Sequence, residues 1–461
     1  MFLFLIFNWC IITIIPINPS LFYLFMSSSC PNCKSGKLCR KHRIMLDSFK
    51  DNAPKVSTHF SGPSPPEVFV GRIGYPHINS GILAPTTFDT RLDLNSAADW
   101  SRENLGIANV LRLRARLVYG RGNAHVKKQT EIGKVTRELA MTHKATATEF
   151  FLKKKPVVSI TSSSIFRPMT NPAPIKKVLL EENTKVLRRV DAMVDDIHCK
   201  AVEGLRELYN SKLGVDHLQK LLSTGLLGKK VARRMVPTRW SITAVDDTLS
   251  KQMLDRIRYH NEADSIMLFS GNFVGNYVEI LVLPGRWSFE AIEAWDGVEE
   301  GAGQGTGSPD SNVDGSPSLS IPKMGTRTCE QAPSSKAHQG QHGVQFAADF
   351  EGFYNRKKYA TNVTGGYYAM RLPICEWFDK MKLQGTVLVF RRITEEYYAP
   401  LGVGIVREAT RRAVKGNFKE FESIGAALVD MQERVGFSPK KIKEKSWILK
   451  EYGKQKSLWD F

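Results

Sequence analysis

Apolar positions recur along this chain with two different periods, and the changes between them mark out its elements. From Asn183 to Tyr209 the residues Val186, Leu187, Val190, Met193, Val194, Ile197, Leu205 and Leu208 fall at helical spacing, which predicts one long helix with Asn183 as its N-cap. A second helix is predicted over Val215–Ser223, ended by Gly225. Met267–Leu283 reads as strands about a Gly271-Asn272 turn, closed by Pro284-Gly285, and Thr386–Phe390 reads as a buried strand. Between residues 112 and 118 cationic and apolar side chains alternate, which predicts a strand with one cationic face. A helical, Lys-rich tail is predicted from Phe418 to the end. The pattern as a whole predicts a mixed α/β (α+β) globular body.

Interruptions in the pattern divide the chain. Lys50–Glu67 is rich in Pro and Ser and reads as a linker, so folded sequence is expected from Val68. Gly301–Gly343 is mostly Gly, Ser, Pro and Gln, with too little apolar surface to order itself. The divisions are a leader at 1–25, a zinc-finger-like segment at 26–46, a linker at 47–67 and the first part of the body at 68–300. A disordered insertion at 301–345, the rest of the body at 346–440 and a flexible tail at 441–461 follow. Residues 1–25 are apolar and uncharged, but Asn8, Pro16, Asn18 and Pro19 interrupt the run and no Lys or Arg precedes it. The preferred reading is an upstream mis-start with Met26 as initiator and no membrane contact; a targeting or anchoring leader is the alternative.

Charge narrows the class of partner. With 65 Lys and Arg against 46 Asp and Glu, the formal charge is +19, so the surface attracts polyanions, of which nucleic acid is the commonest. Composition does not separate DNA from RNA. Seven cysteines are too few for a disulfide framework, and three of them crowd together. Cys30, Cys33, Cys39 and His42 have the spacing C-x2-C-x5-C-x2-H, which suits a closed, structural zinc site in a reducing compartment. The competing view makes His42 one more cation beside Arg40, Lys41 and Arg43. A cytoplasmic, nucleoid-associated location is expected.

The last residues read Q-x-x-L-x-x-F, with Gln455, Leu458, Trp459 and Phe461. In a single 3₁₀ turn Leu458 and Phe461 eclipse to form a two-pronged apolar plug. This resembles the peptide by which proteins dock on PCNA, the ring-shaped sliding clamp; the alternative is a last turn packed on its own body. Candidate nucleic-acid contacts are Arg72, Arg112, Arg114, Arg116, Arg234, Arg239, Trp240, Arg356, Lys357, Lys358 and Arg371, because guanidinium groups pair with phosphate and a Trp can stack on a base. Against this, Trp240 could be core with Arg239 paired to Asp246 or Asp247, and Gly365-Gly366-Tyr367-Tyr368 is equally a strand start. Asp246, Asp247, Glu290 and Glu293, or Asp195 with His198, could hold a divalent ion. Gly225–Lys229 lacks the length and hydroxyl of a phosphate-binding P-loop.

Several stretches together resemble the archaeal Nre family of DNA-repair proteins. They are Phe69–Pro76, Val236–Asp247, Gly275-Asn276 with Leu283-Pro284 and Trp287, Tyr354–Arg371, and Pro400–Glu408. The resemblance implies a role in DNA-damage repair, a zinc-finger-like N-terminal element and recruitment by PCNA through the C-terminal peptide. It does not supply a reaction. A metal-dependent enzyme acting on nucleic acid and an RNA- or ribosome-associated zinc protein are the alternative functions.

Overall fold

A computed structural model describes residues 40–54, 56–64, 67–86, 96–128, 130–157, 170–295 and 344–454. The first half runs α1 (Arg40–Asn52), β1 (His59–Ser64), β2 (Val68–Val70), β3 (His77–Pro85), α2 (Ala97–Arg102), α3 (Ile107–Ala115), β4 (Leu117–His125), α4 (Glu131–Met141), β5 (Thr146–Leu152) and β6 (Asn171–Leu180). Four helices follow, α5 (Arg188–Asp195), α6 (Ala201–Asn210), α7 (Val215–Ser223) and α8 (Thr238–Ile257). They lead into β7 (Asn261–Glu262), β8 (Ile266–Phe273), β9 (Asn276–Leu283) and β10 (Ser288–Trp295). The remainder comprises β11 (Gln345–Glu351), α9 (Gly365–Met381), β12 (Leu383–Gln384), β13 (Thr386–Ile393), α10 (Gly404–Lys415), β14 (Lys419–Phe421), α11 (Ile424–Val435), α12 (Pro439–Lys445) and α13 (Trp447–Glu451). The expected mixed α/β class is observed. Among the described residues no helix is long and apolar enough to cross a membrane.

Two six-stranded sheets organise these elements, in the orders β1-β5-β6-β4-β3-β2 and β11-β10-β13-β9-β8-β14. Each is antiparallel except for one parallel pair, β4 with β6 and β10 with β13. Alternation along β13 explains how the second sheet is covered on both faces. Val387 and Val389 join the core that contains Val245, Leu249, Tyr367, Met370, Ile405 and Ala409 of α8, α9 and α10. Leu388 and Phe390 face the other way, onto Leu428, Met431, Ile442 and Ile448 of α11, α12 and α13.

Helices α8, α9 and α10 are also tied pairwise by ions. Asp246 of α8 meets Arg407 of α10 at 3.1 Å with both side chains buried, and Arg407 reaches Asp216 of α7 at 3.0 Å. Asp247 of α8 pairs with buried Arg371 of α9, whose other nitrogen meets Glu351 at 2.7 Å. Glu376 of α9 meets Arg411 of α10 at 2.6 Å. Burial pushes the Asp246 carboxyl up, and Arg407 opposes that rise.

Several expected elements differ. Residues 107–115 are helical, because Val110, Leu111 and Ala115 make a buried helical face; the expected strand begins only at Leu117. The long helix from Asn183 is two helices, the first capped at Leu187. It breaks where the Asp196 carboxylate accepts from the backbone N–H groups of His198 and Cys199, at 2.8 and 2.9 Å. The β8–β9 turn sits at Val274-Gly275, both with positive φ, rather than at Gly271-Asn272. Gly271 instead lets α10 close in, since a Cβ there would lie 2.6 Å from the Ala413 nitrogen. Gly365-Gly366 starts a helix. The expected linker holds the end of α1, which begins within the zinc-finger-like segment, and all of β1, which pairs with β5. The tail does not hang free as far as Lys454: Ile442 and Ile448 are buried, and Glu290 accepts from the N–H groups of Trp447 and Ile448 at 2.7 and 3.0 Å. The zinc-finger-like cysteines, the 301–343 insertion and residues 455–461 lie outside the described residues.

Replacing one partner of a buried pair strands the other. Arg407→Met should therefore lower unfolding free energy by about 3–5 kcal/mol in denaturant titration, and adding Asp246→Leu should restore a large part of the loss.

Candidate nucleic-acid interface

The three helices that the ion pairs bind together start at one place. The N-cap positions of α8, α9 and α10 are Pro237, Thr364 and Val403; none caps its helix with a side-chain hydrogen bond, and no first turn contains an acid. None of the three helices therefore carries a counter-charge within its own first turn, although the Glu293 carboxylate, paired with Arg391, lies against Gly366 at the start of α9. Local sequence accounts for this geometry. Thr238 accepts from the Val70 N–H at 2.9 Å, which ties the start of α8 to β2. Gly366 leaves room for Glu293, whose Oε1 a Cβ would approach to 2.6 Å.

These helix starts line a cavity of about 310 Å³, reached also by β2, β3, α2, α3 and α7. Arg72, Arg114, Lys220 and Arg239 line it, against the carboxylates Glu67 and Asp216. Asp216 is engaged by Arg407, and Glu67 lies 4.0 Å from Lys220. Burial raises the Glu67 carboxyl, against the pull of Lys220 and Arg114. Burial likewise lowers Arg114, whose guanidinium sits 5.6 Å from the Trp100 ring centroid and whose Nη1 is buried without a hydrogen-bond partner. Phe69, Leu83, Trp100 and Leu401 supply an apolar wall. Net positive charge, several dipole ends and little competing carboxylate make an anion the complementary guest.

The sequence candidates divide by location. Arg72, Arg114 and Arg239 meet at the cavity. Trp240 is not core: it is 51% exposed, its ring centroid 6.4 Å from that of Tyr75, which is 47% exposed. Arg239 does not pair with Asp246 or Asp247, which are taken by Arg407 and by Arg371 with Lys251. Arg112, Arg234, Lys357 and Lys358 are exposed elsewhere on the surface, and Arg116 is half-buried. Arg356 turns inward to the carbonyl of Phe350 at 2.8 Å and to Asp349 at 3.0 Å. Arg371 is 1% exposed and serves the interior ion pairs. Cys30, Cys33, Cys39, the His42 side chain, Gln455, Leu458, Trp459 and Phe461 lie outside the described residues.

The acids proposed to hold a divalent ion do not converge. Asp246 and Asp247 are held by arginines, Glu293 pairs with Arg391 on the α9 side of the sheet, and Glu290 caps α13 on the opposite side. Among the described residues no group of three His, Cys, Asp or Glu is arranged to hold a metal. Lys220, Glu67 and Trp100 were not anticipated. Lys220 and Trp100 sit in ordinary amphipathic segments and Glu67 ends the Pro- and Ser-rich stretch read as a linker, so only the fold shows that they share a site with Arg239.

Residues 38–298 match the family described as archaeal Nre, N-terminal, and residues 351–461 match archaeal Nre, C-terminal. The chain is similar to a protein named DNA repair protein NreB from Archaeoglobus fulgidus, at 31% identity over 94% of this chain and 99% of that one. It is also similar to DNA repair protein NreA from Haloferax volcanii, at 28% identity over 90% of this chain and 92% of that one. No solved structure matches it.

Because the Glu67 carboxyl is raised in the folded state, its ionised form weakens the fold at neutral pH and protonation relieves this as pH falls through the folded value. Glu67→Gln should thus melt above the parent at pH 7. That advantage should vanish as pH drops below the unfolded value near 4.5; equal melting at pH 7 would contradict the assignment.

Proposed function

The chain belongs to the archaeal Nre family, and from that membership we propose that it is a DNA-repair protein that holds DNA at the cationic cavity and is recruited by the sliding clamp PCNA. The observation that carries the DNA reading is the meeting of three uncapped helix starts with Arg72, Arg114, Lys220 and Arg239. Helix starts and guanidinium forks both recognise phosphate oxygens, and the chain's +19 charge adds long-range attraction to the duplex. The relatives' names supply the repair context.

The clamp reading rests on Gln455, Leu458, Trp459 and Phe461. These residues follow directly on a segment fixed to the second sheet by Ile448 and Glu290, so a docked peptide would tether the whole body at short range. Burying its two apolar prongs contributes about 1.5–3 kcal/mol each before ordering costs, a weak-to-moderate contact that suits exchange on a shared ring. At the other end, three thiolates and an imidazole from Cys30, Cys33, Cys39 and His42 form a donor set that fits tetrahedral zinc. Such a zinc would fold the segment ahead of α1 without taking part in a reaction.

Arg72→Gln with Arg239→Gln should weaken DNA binding and reduce the slope of log K against log salt by about 2. Removing 455–461 should abolish retention on immobilised PCNA while leaving that slope intact. An unchanged slope would reject the cavity as the DNA site, and undiminished clamp retention would reject the peptide. Purified full-length protein should contain zinc that Cys30→Ser releases; a metal-free parent would remove the zinc assignment.

A further inference from the structure

The cavity is too small for a continuous duplex. At about 310 Å³ it lies near the lower end of small-molecule sites, on the scale of a single nucleotide. Its lining combines two kinds of chemistry. The helix starts with Arg72 and Arg239 suit a phosphate, whereas Phe69, Leu83, Trp100 and Leu401 offer a flat base an apolar wall. Half-buried Arg114 adds one guanidinium nitrogen, Nη1, that has no protein acceptor.

The surface next to the cavity is also unusual. Arg72 is followed by Ile73 and Tyr75 in the β2–β3 turn, and Arg239 is followed by Trp240 in the first turn of α8. These three apolar side chains are 58%, 47% and 51% exposed. Large apolar groups left in water beside phosphate-binding cations have the composition of a wedge that stacks on bases or enters a base step.

Building on the DNA-binding reading above, we infer that the cavity receives one unpaired nucleotide of a DNA strand, phosphate toward the helix starts and base against the Trp100 wall, while Tyr75 and Trp240 occupy the stacking space it vacates. A base pair is larger than this volume, so the site selects DNA in which one nucleotide leaves the stack readily, at a mismatch or at a strand end. Unstacking costs least at such positions, which makes them the preferred guests.

The test uses the full chain with short DNA duplexes carrying 2-aminopurine, a base that fluoresces when unstacked, in a matched pair, in a mismatch or at a 5′-phosphorylated end. The parent should bind the mismatched or end-labelled duplex about ten-fold more tightly than the matched one, with a fluorescence change at that position alone. Trp240→Ala should bring the ratio toward one and Trp240→Phe should retain it. Thr243→Met, which fills the cavity wall, should remove the fluorescence change; melting temperatures of all variants establish that they are folded. A response at the mismatch identifies an extruded nucleotide, and a response only at the end identifies a strand terminus. Salt-dependent binding with no preference and no fluorescence change would overturn the single-nucleotide inference but leave the DNA reading standing. Absence of binding to any duplex would overturn both.

Discussion

Carboxylate–guanidinium contacts across each pair of α8, α9 and α10 set the geometry on which the rest depends. Asp246–Arg407, Asp247–Arg371 and Glu376–Arg411 close a triangle of contacts, of which Asp246–Arg407 is wholly buried and Asp247–Arg371 has its guanidinium buried. Apolar packing against the second sheet would hold the helices together without fixing their rotation or stagger. Ion pairs with short contacts do fix them, because a displaced buried charge has no water to fall back on. The consequence is felt at the starts of the helices, where Thr238, Gly365 and Gly404 come together at one cavity.

That arrangement works against itself until an anion arrives. Each helix start carries about half a positive charge, and like ends repel, with Arg72, Arg114, Lys220 and Arg239 adding to the excess. Glu67 does not offset the excess, since the cost of burying its charge outweighs the pull of Lys220 and Arg114. A cleft whose charge is left unbalanced by the protein is weaker than a neutralised one, and the deficit becomes available on binding phosphate. Stability and recognition are linked here through the same side chains.

Elements dominated by one strong period were legible in the sequence, such as the α7 helix and the β13 strand. Turns and helix boundaries were less so. Gly271 looked like a turn residue, yet its missing side chain serves contact with Ala413, and Asp196 divides an unbroken apolar repeat by capping backbone N–H groups. The cationic cavity was half legible. Arg72, Arg114 and Arg239 were recognisable as phosphate-binding types, whereas their partner Lys220 and the apolar wall come from segments far apart in the chain. Arg371 shows the converse, since nothing local distinguishes a surface guanidinium from one that Glu351 and Asp247 hold inside. Lys440 to Lys454 read as a loose tail because eight charged residues mask the two isoleucines, Ile442 and Ile448, that anchor it.

The central claim is that helices locked by buried ions present a charge-unbalanced anion site. It is tested most directly by the melting temperature of the parent and of the Arg72→Gln, Arg239→Gln double variant, measured against inorganic phosphate at fixed ionic strength with chloride as the balancing anion. Phosphate should raise the parent's melting temperature in a saturable manner and raise the variant's much less. Parallel behaviour of the two proteins, or no rise in either, would contradict it.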